Sequence, residues 1–189
     1  MHSIMWQPTE EQINNSQMMD YMQLVNQKFG LSLKKYSQLY DWSIEKAEDF
    51  WGSFWEYSQI IHHSPYSQVV DDLGKMPGAK WFDGATLNFA ENLLRYRDDK
   101  IAILFQGEDG TQSSLTYKEL HDQVSSLACS MREIGIVKND RVAGFMPNIP
   151  ETIITMLATA SIGAIWSSCS PDFGIKGVLD RFQQIEPKL

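Results

Sequence analysis

The feature that most constrains the fold is an alternation of two segment types between residues 141 and 185. A short apolar run, RVAGFM (141–146), precedes the long apolar segment ETIITMLATASI (151–162), and a second run, GAIWSS (163–168), precedes another helical pattern. Strand, helix, strand, helix with short connections predicts parallel strands in an α/β sheet. Two parallel strands do not form a stable sheet on their own, and a third would follow near Leu189. We therefore expect the first βα units of a larger α/β domain, truncated at that point.

The two helices of this region carry signals at their ends. Asn148 is placed to cap the first helix, and Pro150 fits its first turn. The second helix is predicted to end before Pro187. Its apolar residues recur at helical spacing: Ile175, Val178, Leu179, Phe182 and Ile185.

The first part of the chain has a different composition. Five of the six tryptophans lie in the first 81 residues: Trp6, Trp42, Trp51, Trp55 and Trp81. Thr9 and Gln12 have the spacing of a capping box, which predicts a helix that runs to Phe29 and ends at Gly30. This enrichment indicates an aromatic-rich helical region that precedes the α/β part.

The rest of this region mixes one further helix with loops. A helix is predicted from Ser43, with a stripe that we interpret as a packing face: Ile44, Ala47, Trp51, Phe54 and Trp55. Residues 64–85 are rich in Gly, Pro, Ser and Asp and are predicted to be mostly irregular. LNFAENLLR (87–95) then predicts a short helix capped by Asn88.

A hairpin and a helix are predicted between residues 100 and 135. IAILFQ, GEDGTQ and SSLT read as strand, glycine-containing turn and strand. Thr116 and Glu119 form a second capping box, and the helix they open ends at Gly135. Its apolar stripe comprises Leu120, Val124, Leu127, Ala128, Met131 and Ile134. His121 falls outside that stripe, so we expect it to be solvated and not catalytic.

Charge and hydropathy exclude some classes of partner. The net charge is −8, and no cluster of Lys and Arg offers a surface to a nucleic-acid backbone. Small phosphorylated ligands remain compatible, because backbone N–H groups bind anions locally. No apolar run reaches the 18–20 or so residues of a membrane span, and the first residues lack a signal-peptide pattern. We expect a soluble cytoplasmic protein that binds neither nucleic acid nor membrane.

The common catalytic and metal-binding motifs do not occur in the sequence. It contains no GxGxxG, GxxxxGK[ST], HExxH or GxSxG. His62 and His63 are adjacent and would point about 100° apart on a helix, so we do not interpret them as metal ligands. The doubled aspartates at 71–72 and 98–99 are interpreted as turn residues. No catalytic residue and no metal ligand is predicted.

The two cysteines are interpreted as packed thiols. Cys129 and Cys169 lie in apolar segments without a CxxC pattern, which predicts that both are buried and reduced. Cys169 belongs to the loop SSCSPDFGIKG (167–177), which follows the second predicted strand. A nucleophilic role would need an activating base, and no histidine follows Cys169 in the chain.

The same loop is the best candidate for a ligand-binding segment. It lies at the carboxyl end of a predicted parallel strand, where open α/β sheets bind their ligands. Its glycines permit close backbone approach. These residues alone leave two readings open, one wall of a site or a plain strand–helix connection.

Several segments together resemble a known family. The chain is similar, from Trp6 to its end, to the acyl-CoA synthetases of the adenylate-forming superfamily, in segments that include WSIEKAEDFWGSFWEY, GAKWFDGATLNFAENLL, LTYKEL, DRVAGFMPNIPETIITMLATASIGAIWSSCSPDFG and VLDRFQQIEPK. Where acetyl-type members carry FGGF this chain has SSCSPDF, so the resemblance is to the acetoacetate type. It implies a helical N-terminal region (1–98) followed by the start of the AMP-binding, adenylate-forming α/β domain (99–189).

The resemblance also implies a reaction and its cofactors. The family joins an acid to CoA with ATP and Mg²⁺ through an acyl-adenylate, here with acetoacetate as the acid. The family's Ser/Thr/Gly-rich phosphate loop does not occur in these residues, so we expect them to be inactive without the remainder of the same enzyme chain. One binding site carries over: Ser170, Pro171 and Asp172, which precede Phe173, correspond to the residues that contact the adenine of CoA.

Other functions remain as alternatives. One is a ligase for another short acid, acetate or propionate. Another is an interaction module without catalysis. A dinucleotide-binding oxidoreductase is disfavoured, because no glycine fingerprint follows any predicted strand.

Overall fold

A computed structural model describes residues 5–189 and divides the chain into two compact units, one up to Thr86 and one from Leu87 onward. The domain boundary predicted between residues 98 and 99 stays a prediction. The elements of the first unit are α1 (Glu10–Asn14), α2 (Gln17–Phe29), α3 (Tyr36–Glu45), α4 (Ala47–Tyr57), β1 (Gln68–Val70) and β2 (Trp81–Asp83).

The predicted helix from Thr9 to Phe29 is interrupted. The capping box of Thr9 forms as predicted, but α1 ends after one turn. The side chain of Ser16 then accepts a hydrogen bond from the backbone N–H of Met19 and caps α2 afresh. Gly30 ends α2 in the left-handed conformation, as predicted.

The predicted start of a helix at Ser43 was wrong. Ser43 lies inside α3, and α4 begins after Lys46, whose backbone leaves the helical region (φ −122°, ψ 50°). Gln38 marks the true beginning of α3, because its side-chain oxygen accepts from the backbone N–H groups of Lys34 and Lys35. A glutamine that reaches back three or four residues is a weak sequence signal, and it was overlooked.

Aromatic residues build the core between α2, α3 and α4. Its buried members are Tyr21, Met22, Val25, Leu39 and Trp42, with Phe50 and Tyr57 packed against them. Within the predicted stripe, Trp55 of α4 stacks on Phe82 at 4.6 Å between ring centroids, whereas Ile44, which lies in α3, is 60% exposed and Trp51 of α4 is 41% exposed. The stripe is therefore a packing face in part only.

A short hairpin replaces part of the loop predicted for residues 64–85. β1 and β2 pair antiparallel, with Gln68 opposite Asp83 and Val70 opposite Trp81. The prediction of a mostly irregular segment is confirmed, and the two strands were missed because three residues are too few to show an alternating pattern.

The doubled aspartates at 71–72 lie in the turn of this hairpin and serve it as predicted. Asp71 accepts hydrogen bonds from Lys75 Nζ (2.6 Å) and from the backbone N–H groups of Lys80 and Asp72 (2.8 Å each). These donors lower the pKa of Asp71 to about 2, with the Lys75 hydrogen bond as the largest cause.

The second unit contains the predicted α/β alternation. Its elements are α5 (Phe89–Leu93), β3 (Ile101–Gln106), β4 (Gln112–Thr116), α6 (Tyr117–Glu133), β5 (Arg141–Phe145), α7 (Pro150–Ile162), β6 (Ile165–Cys169) and α8 (Ile175–Ile185). β3 and β4 form the predicted antiparallel hairpin. β5 and β6 pair in parallel, from Arg141 opposite Ile165 to Phe145 opposite Cys169. The predicted fold class, α/β with a helical region before it, is confirmed.

One core holds α6, α7 and β5 together. Its buried residues include Leu120, Val124, Ala128, Met131, Val142, Ile154, Leu157 and Ala158. The capping box of Thr116 is present, and the predicted stripe of α6 is buried except near its end, where Ile134 is exposed. His121 is less solvated than predicted: its side chain is 21% exposed, with Nδ1 at 3.3 Å from Asp122 Oδ1.

Candidate functional site

The candidate site lies at the carboxyl ends of the two parallel strands. The backbone N–H of Met146, just after β5, donates to the carbonyl of Cys169, the last residue of β6 (3.1 Å). The two loops that follow these strands therefore leave the same edge of the sheet, which is the edge where open α/β sheets bind ligands. α7 begins after the first loop and α8 after the second.

A glycine allows the two strands to come together at this edge. A Cβ on Gly144 in β5 would lie 2.3 Å from Cη2 of Trp166 in β6. The indole ring of Trp166 thus covers the place of the missing side chain. Any larger residue at 144 would displace the ring and disturb the end of the strand pair.

The loop between β5 and α7 differs from the sequence prediction. Asn148 does not cap α7: the N-cap is Ile149, with no side-chain cap, and Pro150 occupies the first helical position. The hydroxyl of Thr152 donates instead to the carbonyl of Pro147 (2.7 Å). That hydrogen bond holds the loop against the first turn of α7, but it caps no backbone N–H of the helix, so α7 begins without a side-chain cap.

The predicted binding residues form a closed turn after β6. The hydroxyl of Ser170 donates to Oδ2 of Asp172 (2.8 Å). The backbone N–H of Asp172 lies 3.4 Å from the oxygen of that hydroxyl. The backbone N–H of Phe173 donates to the carbonyl of Ser170 (3.1 Å). Ser170 is half-buried, whereas Pro171 and Asp172 are exposed at the outside of the turn. The turn presents their side chains to solvent while its backbone is hydrogen-bonded from within.

The ring of Phe173 connects this turn to α8. It packs so closely over the first turn of the helix that a Cβ on Gly177 would lie 3.3 Å from its Cδ1. The ring also contacts Arg181, whose guanidinium carbon lies 4.0 Å from the ring centroid. Gly177 and Arg181 are four residues apart and share one side of α8, and the ring of Phe173, which precedes the N-cap Gly174, lies over that side. The four-residue spacing of Gly177 and Arg181 is visible in the sequence, but it does not by itself indicate a contact with Phe173.

The two cysteines have different surroundings. Cys169 is 3% exposed, which confirms the prediction of a packed thiol. Cys129 is exposed on α6, with Sγ 3.8 Å from Oε1 of Glu133, so its predicted burial was wrong. The error arose because Cys129 follows the buried Ala128 in an apolar run but lies one position off the buried stripe. In residues 5–189, Sγ of Cys169 makes no hydrogen bond to a histidine or a carboxylate.

The side of β5 that faces away from β6 is hydrogen-bonded by Lys188 and Leu189. The backbone N–H of Lys188 donates to the carbonyl of Arg141, and that of Ala143 donates to the carbonyl of Leu189 (2.8 Å each). Nζ of Lys188 donates to Oδ2 of Asp140 (2.6 Å), and this bond is the largest cause of the lowered pKa of Asp140. The backbone therefore pairs with β5 at the place where a third strand is expected.

Residues 5–189 contain no group of three or more His, Cys, Asp or Glu side chains arranged to hold a metal ion. Nδ1 of His62 lies 3.1 Å from the carbonyl oxygen of Ile60. Among those same residues, no helix is both long enough and apolar enough to cross a membrane.

Comparison with protein families gives two matches that follow each other along the chain. Residues 36–93 match the family described as acetyl-coenzyme A synthetase N-terminus. Residues 89–189 match the family described as AMP-binding enzyme. The second match covers more than half of the chain.

Curated relatives are similar over nearly the whole chain. An acetoacetyl-coenzyme A synthetase of Rhizobium meliloti (strain 1021) is 48% identical over 185 residues, and an acetoacetyl-CoA synthetase of Macaca fascicularis is 44% identical over 189 residues. Each alignment covers 98% of this chain and 28% of the relative. A malonamoyl-CoA synthetase of Penicillium aethiopicum is 43% identical over 182 residues, which are 93% of this chain and 25% of the relative. The chain thus spans about 28% of the length of the first two.

A solved structure agrees with these sequence matches. The acetoacetyl-CoA synthetase from Streptomyces lividans superposes with a TM-score of 0.88 and is 40% identical in sequence. The superposition covers 96% of this chain and 29% of that protein.

Proposed function

Because the chain belongs to the AMP-binding enzyme family, we propose that it is the N-terminal portion of an ATP-dependent acid–CoA ligase whose acid is acetoacetate. The observation that carries the proposal is the superposition on the acetoacetyl-CoA synthetase of Streptomyces lividans, at 40% identity over 96% of this chain. Such agreement over two successive units supports a shared architecture and not merely a shared motif. The activity belongs to the full-length protein, because the chain spans only 29% of that structure.

The proposed reaction has two balanced steps. In the first, a carboxylate oxygen of the acid attacks the α-phosphorus of ATP, and pyrophosphate leaves with the electrons of the broken P–O bond. In the second, the thiol of CoA loses its proton and its sulfur attacks the acyl carbon, so that a thioester forms and AMP leaves. Mg²⁺ would offset the phosphate charge. The described residues contain no cluster suited to a metal, so we assign it no ligand here.

Within this scheme the chain contributes one wall of the CoA site. We assign that wall to the turn of Ser170, Pro171 and Asp172 at the carboxyl end of β6. Two observations support the assignment: the turn lies at the ligand-binding edge of the sheet, and its outer side chains are exposed. The Ser170–Asp172 hydrogen bond fixes the position of the carboxylate, and so of the surface that a planar base would contact.

The similarity to two kinds of synthetase defines a class of acids. The relatives named for acetoacetyl-CoA and for malonamoyl-CoA are 43–48% identical to this chain, so identity in this region does not separate them. Acetoacetate and malonamate share a carbonyl group on the carbon β to the carboxylate. We therefore propose short acids with a β-carbonyl as the substrate class, with acetoacetate as the first choice.

A panel of acids tests this substrate class. Full-length protein is assayed for acid-dependent exchange of pyrophosphate into ATP with acetoacetate, malonamate, butyrate, acetate and propionate. Butyrate is the matched control, because it has the chain length of acetoacetate without the carbonyl oxygen. A site built to hydrogen-bond that oxygen should favour acetoacetate over butyrate by at least about a hundredfold in kcat/KM. Preference for acetate or propionate would overturn the acid assignment, and no exchange with any acid would favour a non-catalytic interaction module.

Further parts of the proposal concern the chain by itself. We expect residues 1–189 to catalyse neither step and to bind ATP negligibly, because the family's phosphate loop does not occur in them. Calorimetry tests this expectation, and micromolar ATP affinity would contradict it. The division at residues 98 and 99 and the cytoplasmic location remain predictions, which limited proteolysis and cell fractionation of the full-length protein would examine.

A further inference from the structure

The guanidinium of Arg181 lies over the aromatic ring that anchors the candidate CoA-binding turn. Its central carbon is 4.0 Å from the ring centroid of Phe173, within the distance of a favourable cation–π contact. Nη1 of the same group is 3.4 Å from the carbonyl oxygen of Gly177, one helical turn earlier. Both contacts hold the side chain along α8, although Arg181 remains exposed.

No carboxylate competes for this cation. Among the described residues, the ion pairs of the structure do not include Arg181. An exposed arginine on an acidic chain, with a net charge of −8, would readily find a carboxylate partner. Its planar group lies on an aromatic face instead, which is an arrangement that lysine does not reproduce.

The ring of Phe173 transmits this contact to the turn. On one side it is confined by Gly177, where a Cβ would come within 3.3 Å of it. The backbone N–H of Phe173 donates to the carbonyl of Ser170 (3.1 Å) and closes the turn. A ring that changes rotamer would lose its packing on α8, and this packing is what ties the backbone of Phe173, at the end of the turn, to the helix.

We propose that Arg181 is a positioning residue for CoA binding: it fixes the ring of Phe173 on α8, and through that ring it holds the Ser170–Asp172 turn in place. This inference rests on the proposed function for the identity of the ligand. Arg181 acts through Phe173 and is not assigned a contact with the substrate. Its removal should weaken CoA binding and leave the first step, which needs only acid and ATP, unchanged.

The test uses five variants of the full-length protein, Arg181→Lys among them, and separates the two steps. Arg181→Gln removes the charge, Phe173→Leu removes the ring, and the double variant removes both. Lys176→Gln is the matched control, because it removes another exposed cation from the same helix, and Lys176 makes no cation–π contact among the described residues. For each variant we measure pyrophosphate exchange without CoA, KM and kcat for CoA in the complete reaction, and CoA affinity by calorimetry.

The expected pattern is specific. Arg181→Gln should raise KM and Kd for CoA two- to fivefold, the range of an exposed cation–π contact, with pyrophosphate exchange unchanged. Because Arg181 acts through the ring, the double variant should be no worse than Phe173→Leu alone. Lys176→Gln should resemble the wild type. Arg181→Lys should recover only part of the affinity, since an ammonium retains the charge without the planar stacking.

Three results would overturn the inference. They are additive effects of the two substitutions, an equal loss in Lys176→Gln, and a loss of pyrophosphate exchange that parallels the loss in CoA affinity. A wild-type protein without exchange for any acid would instead defeat the proposed function. In that case calorimetry with CoA alone still decides the role of Arg181, because it requires no turnover.

Discussion

Asn88 caps the start of α5 and hydrogen-bonds the last turn of α7, and two different substitutions separate these roles. Its Oδ1 accepts the backbone N–H of Glu91 in the first turn of α5 (3.1 Å). Its Nδ2 donates to the carbonyl of Ala160 in the last turn of α7 (2.9 Å), with the carbonyl of Ser161 at 3.4 Å. One amide group thus satisfies a free donor of α5 and adds a hydrogen bond to the last turn of α7, and 72 residues separate Asn88 from Ala160 along the chain.

The structure allows the magnitude of each role to be worked out. Loss of an N-cap costs about 1 kcal/mol. The carbonyl of Ala160 keeps a second hydrogen bond, from the N–H of Gly163 (3.0 Å). Loss of the Asn88 donor should therefore cost only about 0.5–1 kcal/mol more. Asn88→Ala removes both interactions and should cost about 1.5–2 kcal/mol. Asn88→Ser retains the cap but is too short to reach α7, so it should cost about 0.5–1 kcal/mol.

Amide hydrogen exchange on the full-length protein measures the two roles of Asn88 separately, at the start of α5 and at the end of α7. In Asn88→Ser, the N–H groups of Gly163 and Ala164 at the end of α7 should exchange faster, while that of Glu91 stays protected. In Asn88→Ala, all three should exchange faster. If the two variants exchange alike, or if the end of α7 is unaffected in both, the link between α5 and α7 carries no stability and the reasoning is refuted.

Three further predictions concern stability and its pH dependence. Tyr21→Phe should cost about 1 kcal/mol in urea unfolding, because the Tyr21 hydroxyl hydrogen-bonds Ser53 (2.8 Å) in the core. Burial disfavours the phenolate and raises the pKa of Tyr21 above 10.0, so the wild type should keep its advantage over the Phe variant below pH 10 and lose it as pH rises further. A stability deficit of the Phe variant that persists unchanged at pH 11 would contradict this prediction. Asp71→Asn should make stability fall less steeply in acid. Hydrogen bonds, that of Lys75 above all, lower the pKa of Asp71 from 3.8 to about 2, so the ionised carboxylate stabilises the fold above pH 4 and this stabilisation is lost as pH falls through 2. Equal acid profiles for variant and wild type would argue against this role. Gly144→Ala should cost about 1–3 kcal/mol, because its Cβ would lie 2.3 Å from an indole carbon, and an unchanged melting temperature would show that the ring moves freely.

Sequence reasoning succeeded where the signal is local and repeated. The capping boxes at Thr9 and Thr116 formed as predicted, because a cap needs only residues three positions apart. The parallel pairing of β5 and β6 also followed from the chain alone, since short connections through a helix leave little other choice. It failed at Ser16 and Lys46, where a single residue ends a helix inside a continuous helical pattern.

For the candidate site, sequence determined the place but not the contacts. The resemblance to acyl-CoA synthetases and the position after a parallel strand both pointed to Ser170, Pro171 and Asp172. Their role in CoA binding stays a prediction. The closed turn and its connection through Phe173 to Arg181 became visible only in three dimensions.

The order of the elements, the α/β class and the family can be inferred from the chain, because these depend on periodicity, caps and motifs along a single stretch of residues. Which side chains meet depends on how the folded elements pack. Cys129 and Ala128 are neighbours in one helix, yet Ala128 is buried and Cys129 is exposed. Asn88 joins two helix ends that lie 72 residues apart. Such contacts arise from the packing of whole elements against each other, and no local pattern encodes them.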